Sequence, residues 1–203
     1  MGPESRSTRL TLHFWALVFA WTLIVVGLVV SDALHIDRAV REMAISEARA
    51  HFNKDQAFRF WASSHGGVYV PVSDQVMPNP FLSHLPERDI QTPAGTSLTL
   101  MNPAYMIRQI MEQYTTAYGV YGHITSLKHF RPETAPDAWE TASLMAFEKG
   151  EKEVLEFAEI HGKSYLRLMR PMVAEQDCLK CHGFQGYKVG DVRGGVSVSV
   201  PMD

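Results

Sequence analysis

Cysteine is nearly absent. The chain has two, at positions 178 and 181, too few for a disulfide framework. An excess of one charge is absent too: 19 Lys and Arg stand against 22 Asp and Glu, a net charge of −3. That balance gives no argument for a nucleic-acid partner, which normally shows as a basic face, and none is expected. No repeat of solenoid length and no low-complexity tract occurs, which leaves a globular domain of ordinary size plus an attachment. Proline and glycine are missing from residues 31–64, so nothing there breaks a helix. Long apolar runs are missing as well, with one exception.

That exception is "LTLHFWALVFAWTLIVVGLVV", residues 10–30. At ~1.5 Å rise per residue it spans a hydrocarbon core of ~30 Å. His13 is its only titratable group and lies near one end. Arg6 and Arg9 precede it, and a basic leader favours a cytoplasmic N-terminus. The organisation expected is a cytoplasmic segment 1–9, a transmembrane helix 10–30, a membrane-proximal helix 31–65 and a domain 66–203 outside the cytoplasm. The expected location is therefore the inner membrane, single-pass, with the C-terminal domain in the periplasm. A signal peptide with a cleavage site at Ser31-Asp32-Ala33 is the competing reading. The run is longer than the ~7–15 residues of a typical signal-peptide core, which favours the anchor. Both readings export the same domain.

Within 31–64, Ile36, Val40, Met43, Ala44, Ala48, Phe52, Ala57, Phe58 and Trp61 recur at helical spacing, and "HGG" at 65–67 supplies the stop. This spacing also suits a homodimer seam. "VYVPV" reads as an edge strand. Residues 73–91 carry three prolines and read as a loop. "TSLTLM" reads as a strand. The next helix is framed by Asn102 as N-cap, Pro103 in its first turn and Gly119 past its end, with Ile107, Ile110, Met111, Tyr114 and Tyr118 facing inward. A strand over 120–130, a helix over 137–149 anchored by Trp139 and Phe147, a hairpin turning at His161-Gly162-Lys163 and a last strand bearing Val192, Val196, Val198 and Val200 complete the chain. The fold class expected is α+β: a PAS-like antiparallel sheet with flanking helices, preceded by one transmembrane helix.

Both cysteines lie in "EQDCLKCHGFQGY". Cys-x-x-Cys-His is the attachment pattern of c-type haem. Two thioethers must reach two vinyl groups of one macrocycle, and a three-residue step places both sulfurs on one side. The following imidazole then points at the iron. Cys178 and Cys181 are the attachment points in this reading and His182 the proximal ligand. A structural zinc site needs four ligands, and no second Cys or His pair is at hand. A thioredoxin-type pair normally opens a helix after a strand in a βαβ unit, whereas these surroundings read as antiparallel. Covalent haem attachment takes place outside the cytoplasm, so anchor and motif support one another. The cofactor expected is one covalent haem c.

The flanks extend the pattern. "LRLMRPMVAEQDCLKCHGFQGYKVGDVRGGVSVSVP", "SHGGVYVP", "LTLMNPAYMIRQ" and "GHITSLKHFRPETAPDAWE" resemble blocks of the haem-c sensor domain of bacterial membrane receptors, found outside the membrane ahead of histidine-kinase or chemotaxis modules. The resemblance runs from about residue 52 to 201. It implies a PAS-like fold, one covalent haem and a signalling role, with the output module in a longer receptor; the other expectation is a stand-alone anchored cytochrome. No catalytic module is expected in this chain. Some relatives use a cysteine as second axial ligand, and this chain has none to spare. Others use methionine or leave a water-occupied position.

Candidates for the sixth position are Met106, Met101, Met111, His123, His65 and His129, with Met106 and His123 in front. Arg167, Arg170 and Arg193 flank the motif. Of these, Arg170 and Arg193 are the candidates for the anionic propionates. The function expected is a sensor of redox state or of a diatomic gas, passing a displacement along the membrane-proximal helix. The alternative is a tethered monohaem cytochrome serving a redox partner. A haem enzyme would need a distal acid/base pair, and none is recognisable.

Overall fold

The computed structural model describes residues 3–129, 131–179 and 183–202. The chain divides into two compact units, Met1–Met43 and Ala44–Asp203, and the division falls inside the first helix, α1 (Pro3–Ser64). In the first unit, mean hydropathy reaches 2.4 over an 18-residue window of α1. This helix is long and apolar enough to cross a membrane, by length and composition.

The second unit is α+β, with two antiparallel sheets. The strands are β1 (Val68–Pro71), β2 (Asp89–Gln91), β3 (Ser97–Met101), β4 (Tyr121–Thr125), β5 (Val154–Ile160), β6 (Lys163–Val173) and β7 (Val192–Pro201). A small sheet has the order β1-β3-β2, and the main sheet β4-β7-β6-β5. Helix α2 (Pro103–Tyr118) leads into β4, and α3 (Ala138–Glu148) precedes the β5–β6 hairpin. Two expectations are corrected. The loop 73–91 ends in a short strand, β2, and the strand over 120–130 stops at Thr125.

Local chemistry accounts for the element ends. Gly66 and Gly67 take φ of 77° and 105° after α1, and Gly67 N–H closes on the Ala62 carbonyl at 2.8 Å. Gly119 ends α2 in the left-handed region. The β5–β6 turn holds His161 at φ 52° and Gly162 at φ 77°, the double left-handed geometry that a two-residue hairpin prefers.

The two faces of the main sheet bury different groups. Leu166, Leu168, Met172, Val196, Val198, Val200 and Ile124 pack with Ile107 and Met111 of α2 and with Ala44, Ala48 and Phe52 of α1. Ile36, Val40, Met43, Phe58 and Trp61, which recur at the same helical spacing, are exposed. Asp55 is buried instead, and burial raises its pKa against the opposing pull of Lys54. Tyr118 is likewise exposed, past the packed part of α2. Val192 packs with Leu144, Phe147 and Met169 on the α3 side. A β-bulge explains this departure from the expected valine stripe: Met172 pairs with Gly194 and Val173 with Val192, so Arg193 has no partner in the ladder.

A polar latch joins α3 to the sheet. Asp137 and Glu140 form a capping box at the start of α3. Glu140, buried, also accepts from Ser197 Oγ at 2.5 Å and faces His123 Nδ1 at 3.0 Å. His123 and Ser197 are direct partners across β4 and β7. The hydrogen bond to Glu140 holds the His123 pKa above its ordinary 6.5 despite burial. Burial pushes Glu140 up, but its bonds to His123 and Ser197 outweigh that and leave it below its ordinary 4.5. The raised histidine contributes stability that is complete below pH 6.5 and lost as pH rises through its folded pKa. The lowered carboxylate contributes stability that is complete above pH 4.5 and lost as pH falls through its own.

Two predictions follow from these contacts. His123→Gln lowers stability by about 2 kcal/mol at pH 5.5, and the gap to the parent narrows above pH 6.5; urea midpoints measured across pH check this. Gly194 is the second site, because a Cβ there would stand 2.3 Å from the Thr125 carbonyl oxygen. Gly194→Ala should cost about 1–3 kcal/mol, read from the same urea transitions.

Candidate functional site

The motif segment is an excursion between β6 and β7. Its base is closed by Ala174 N–H to the Asp191 carbonyl at 2.8 Å and Gly190 N–H to the Ala174 carbonyl at 2.9 Å. Its first arm forms a 3-10 turn, Gln176–Cys178, with Cys178 N–H bonded to the Glu175 carbonyl at 3.0 Å. Cys178 is half-buried and lines a cleft of about 280 Å³. That is near the lower end of ligand pockets, ~300–1,000 Å³, and far above the ~30 Å³ of a single water. Cys181 and His182 lie outside the described residues.

Several separate segments of the second unit build the cleft. The last turns of α1 contribute Arg59 and Ser63. The start of α2 contributes Asn102, Pro103, Ala104 and Arg108. The loop after β4 contributes His129 and Arg131, and the bulge contributes Arg193. Phe81, Leu82, Ile124, Met172 and Val173 supply apolar wall. No Asp or Glu occurs among the described residues that line it.

Buried hydrogen bonds fix these parts. Asn79 caps the turn Pro80–Leu82 by accepting from Phe81 N–H at 3.1 Å, and its amide reaches Asn102 Oδ1 at 3.4 Å. Asn102 begins α2 with extended backbone and gives the helix no side-chain cap. Thr125 Oγ1 donates to the Thr134 carbonyl at 2.7 Å, and Thr134 Oγ1 to the Arg131 carbonyl at 2.9 Å. These bonds tie down the loop that carries His129 and Arg131. Gly194 lets the Thr125 carbonyl and Ser126 approach β7 at the floor.

The bulge turns Arg193 into this cleft. Its Nε is buried without a hydrogen-bond partner, and its guanidinium stands 5.1 Å from the Tyr187 ring. Burial is the main force lowering its pKa, partly offset by Tyr187 and Cys178. Arg170 does not line the cleft. It binds Glu153 at 2.7 Å through Nε and lies over Phe52. Arg167 binds Asp137 at 2.7 Å and covers Trp139.

The sixth-position candidates scatter. Met106 packs against the core beside Ile110 and Tyr114, and Met111 lies within that core. Met101 is buried. His123 is engaged with Glu140 on the α3 face. His65 stacks on Trp61 and binds its carbonyl at 2.8 Å. None of these lines the cleft, whereas His129 does. His84 and Met172 also line it and were not singled out by sequence. His84 sits in an aperiodic stretch that offers no signal, and Met172 reads as an ordinary core residue of β6. Imidazole and thioether side chains, the types that ligate haem iron, are therefore present in the cleft lining at His84, His129 and Met172.

Comparison with known proteins fits this arrangement. The Tll0287-like family model matches residues 37–201. Among solved structures, the crystal structure of the cyanobacterial heme-protein Tll0287 matches with a TM-score of 0.52 at 15% identity, covering 78% of this chain and 95% of that one. At that identity the likeness shows a shared fold. No match was found among the curated proteins. The family match spans both sheets, α2, α3, the part of α1 from residue 37 onward, and the motif segment: the chain belongs to the Tll0287-like family.

Proposed function

We propose that the chain is a membrane-anchored sensor domain carrying one haem c in the periplasm. Cys178 and Cys181 would hold the group by thioether links and His182 would ligate the iron from the proximal side. One observation carries the reading: Cys178, first of the Cys-x-x-Cys-His order, lines a cleft with apolar walls and a cationic rim. That is the character a flat apolar macrocycle with two carboxylate arms requires. The orphaned Nε of Arg193 fits an anionic neighbour in the same place. The heme-protein named among the solved structures supports it further.

Bound haem supplies an iron whose oxidation state and sixth ligand can change. The protein's part would be to supply, or leave open, a second ligand to that iron. We propose His129, His84 and Met172 for that role ahead of Met106 and His123, because they line the cleft and the other two do not. Arg59 and Ser63 belong to α1, the same helix whose earlier residues are apolar enough to cross a membrane. A change at the cleft therefore bears on that helix, and a small shift of it is the proposed signal. The domain acts in this reading by binding, with output in another module.

The reading is tested on the anchored chain made in cells that mature c-type cytochromes. Pigment should stay with the denatured chain and be absent from a Cys178→Ser/Cys181→Ser variant. His182→Ala should retain linked pigment but change its axial-ligand absorption bands. Colourless protein, or pigment freed by acid extraction, overturns it. Carbon monoxide or nitric oxide added to the reduced protein should bind or alter spin state. Invariant six-coordinate bands would assign the chain to tethered electron transfer instead.

A further inference from the structure

Arg59, Arg108, Arg131 and Arg193 line the cleft, and no carboxylate stands among its described lining residues. Arg108, in the second turn of α2, is half-buried and makes no hydrogen bond or ion pair among the described residues. Its contact is the Tyr105 ring, 5.3 Å away. Burial and then the neighbouring Arg131 lower its pKa, and Glu112, Tyr105 and Glu133 offset part of that. Arg131 lies over Phe81, and Glu133 stands 3.7 Å from it on the exposed side. Glu112 and Glu133 offset part of the repulsion between the two guanidiniums from outside the cleft lining, and an anion inside the apolar cleft would relieve the rest. The start of α2, without a side-chain cap, opens on the same space and adds its partial positive charge.

We propose that Arg108 and Arg131 form a carboxylate-binding subsite for a propionate arm of the haem. This rests on the haem reading above, and it differs from the expectation that Arg170 and Arg193 would serve. Arg170 is already bound to Glu153. Guanidinium forks match carboxylates two bonds at a time, so one arm can engage both residues. Pairing removes the repulsion between them. It also holds the carboxylate ionised, because nearby positive charge lowers its pKa.

The consequence is electrochemical. An unpaired propionate stabilises ferric iron by its negative charge, whereas a paired one does so less. Removing either arginine therefore lowers the reduction potential. It also raises the propionate pKa, so that the potential comes to depend on pH nearer neutrality.

The test is spectroelectrochemistry of the haem-loaded full chain from low to high pH. Arg131→Gln, on a loop, tests the subsite even if Arg108→Gln fails to fold. Arg108→Lys should restore part of the shift. Arg88→Gln is the control: it lies beside β2 and outside the cleft, paired with Asp89. The expected result is a lower potential and steeper pH dependence in Arg131→Gln and Arg108→Gln, with Arg88→Gln unchanged. Unchanged curves in loaded Arg131→Gln and Arg108→Gln overturn the subsite and leave the haem reading standing. An equal shift in Arg88→Gln also overturns it, as a long-range charge effect. If added succinate shifts the parent's potential saturably, and Arg131→Gln abolishes that shift, the site takes free carboxylates and the propionate assignment falls. A parent chain without haem overturns both readings.

Discussion

The register between β6 and β7 governs this domain. Nine residues of β6, from Tyr165 to Val173, are paired along β7, and β7 is the strand that also carries β4. That central strand divides the interior into an α1/α2 side, filled by Val196, Val198 and Val200, and an α3 side, filled around Ser197 and Met169. A shift by one residue would exchange the two sets. The motif segment leaves from one end of this pairing and returns to it. The long ladder and the two bonds at Ala174 thus set the base from which the arm carrying Cys178 departs.

The bulge at the same end gives that position its chemistry. A regular ladder would place Arg193 on the α3 face, opposite the valines. The extra residue breaks the alternation, returns Val192 to the α3 core and frees the guanidinium for the cleft. Neighbouring Gly194 leaves room for the Thr125 carbonyl, from which the loop bearing His129 and Arg131 departs. Sheet geometry and cleft composition are one problem in this fold: the irregularity that ends the ladder recruits both a cation and a loop.

Much of the architecture was legible because its signals are local. Asn102, Pro103 and Gly119 frame α2, and His161-Gly162 marks its hairpin, since backbone conformation there depends on the residue itself. The motif, too, is read from five adjacent residues. The cleft was not legible in the same way. Arg59, His84, Arg108 and Arg131 belong to four separate segments, and only packing brings them together. His123 shows the reverse difficulty. As a lone histidine on a strand it looks free to bind metal, but its partner Glu140 is on a later helix and its register mate Ser197 on the last strand. Asp55 interrupts the helix face that apolar spacing assigns to Ala48 and Phe52, a placement that periodicity of apolar residues cannot register.

The shared carboxylate of Glu153 has a consequence for how this sequence can drift. Arg49 on α1 holds it at 2.6 Å, and Arg170 on β6 holds it at 2.7 Å. Each guanidinium is a spare for the other, so either position can change in a lineage while one bridge survives. The acid has no understudy: its loss would leave two cations facing each other across the seam between helix and sheet. Substitutions should therefore accumulate asymmetrically here, freely at one base at a time and seldom at the acid.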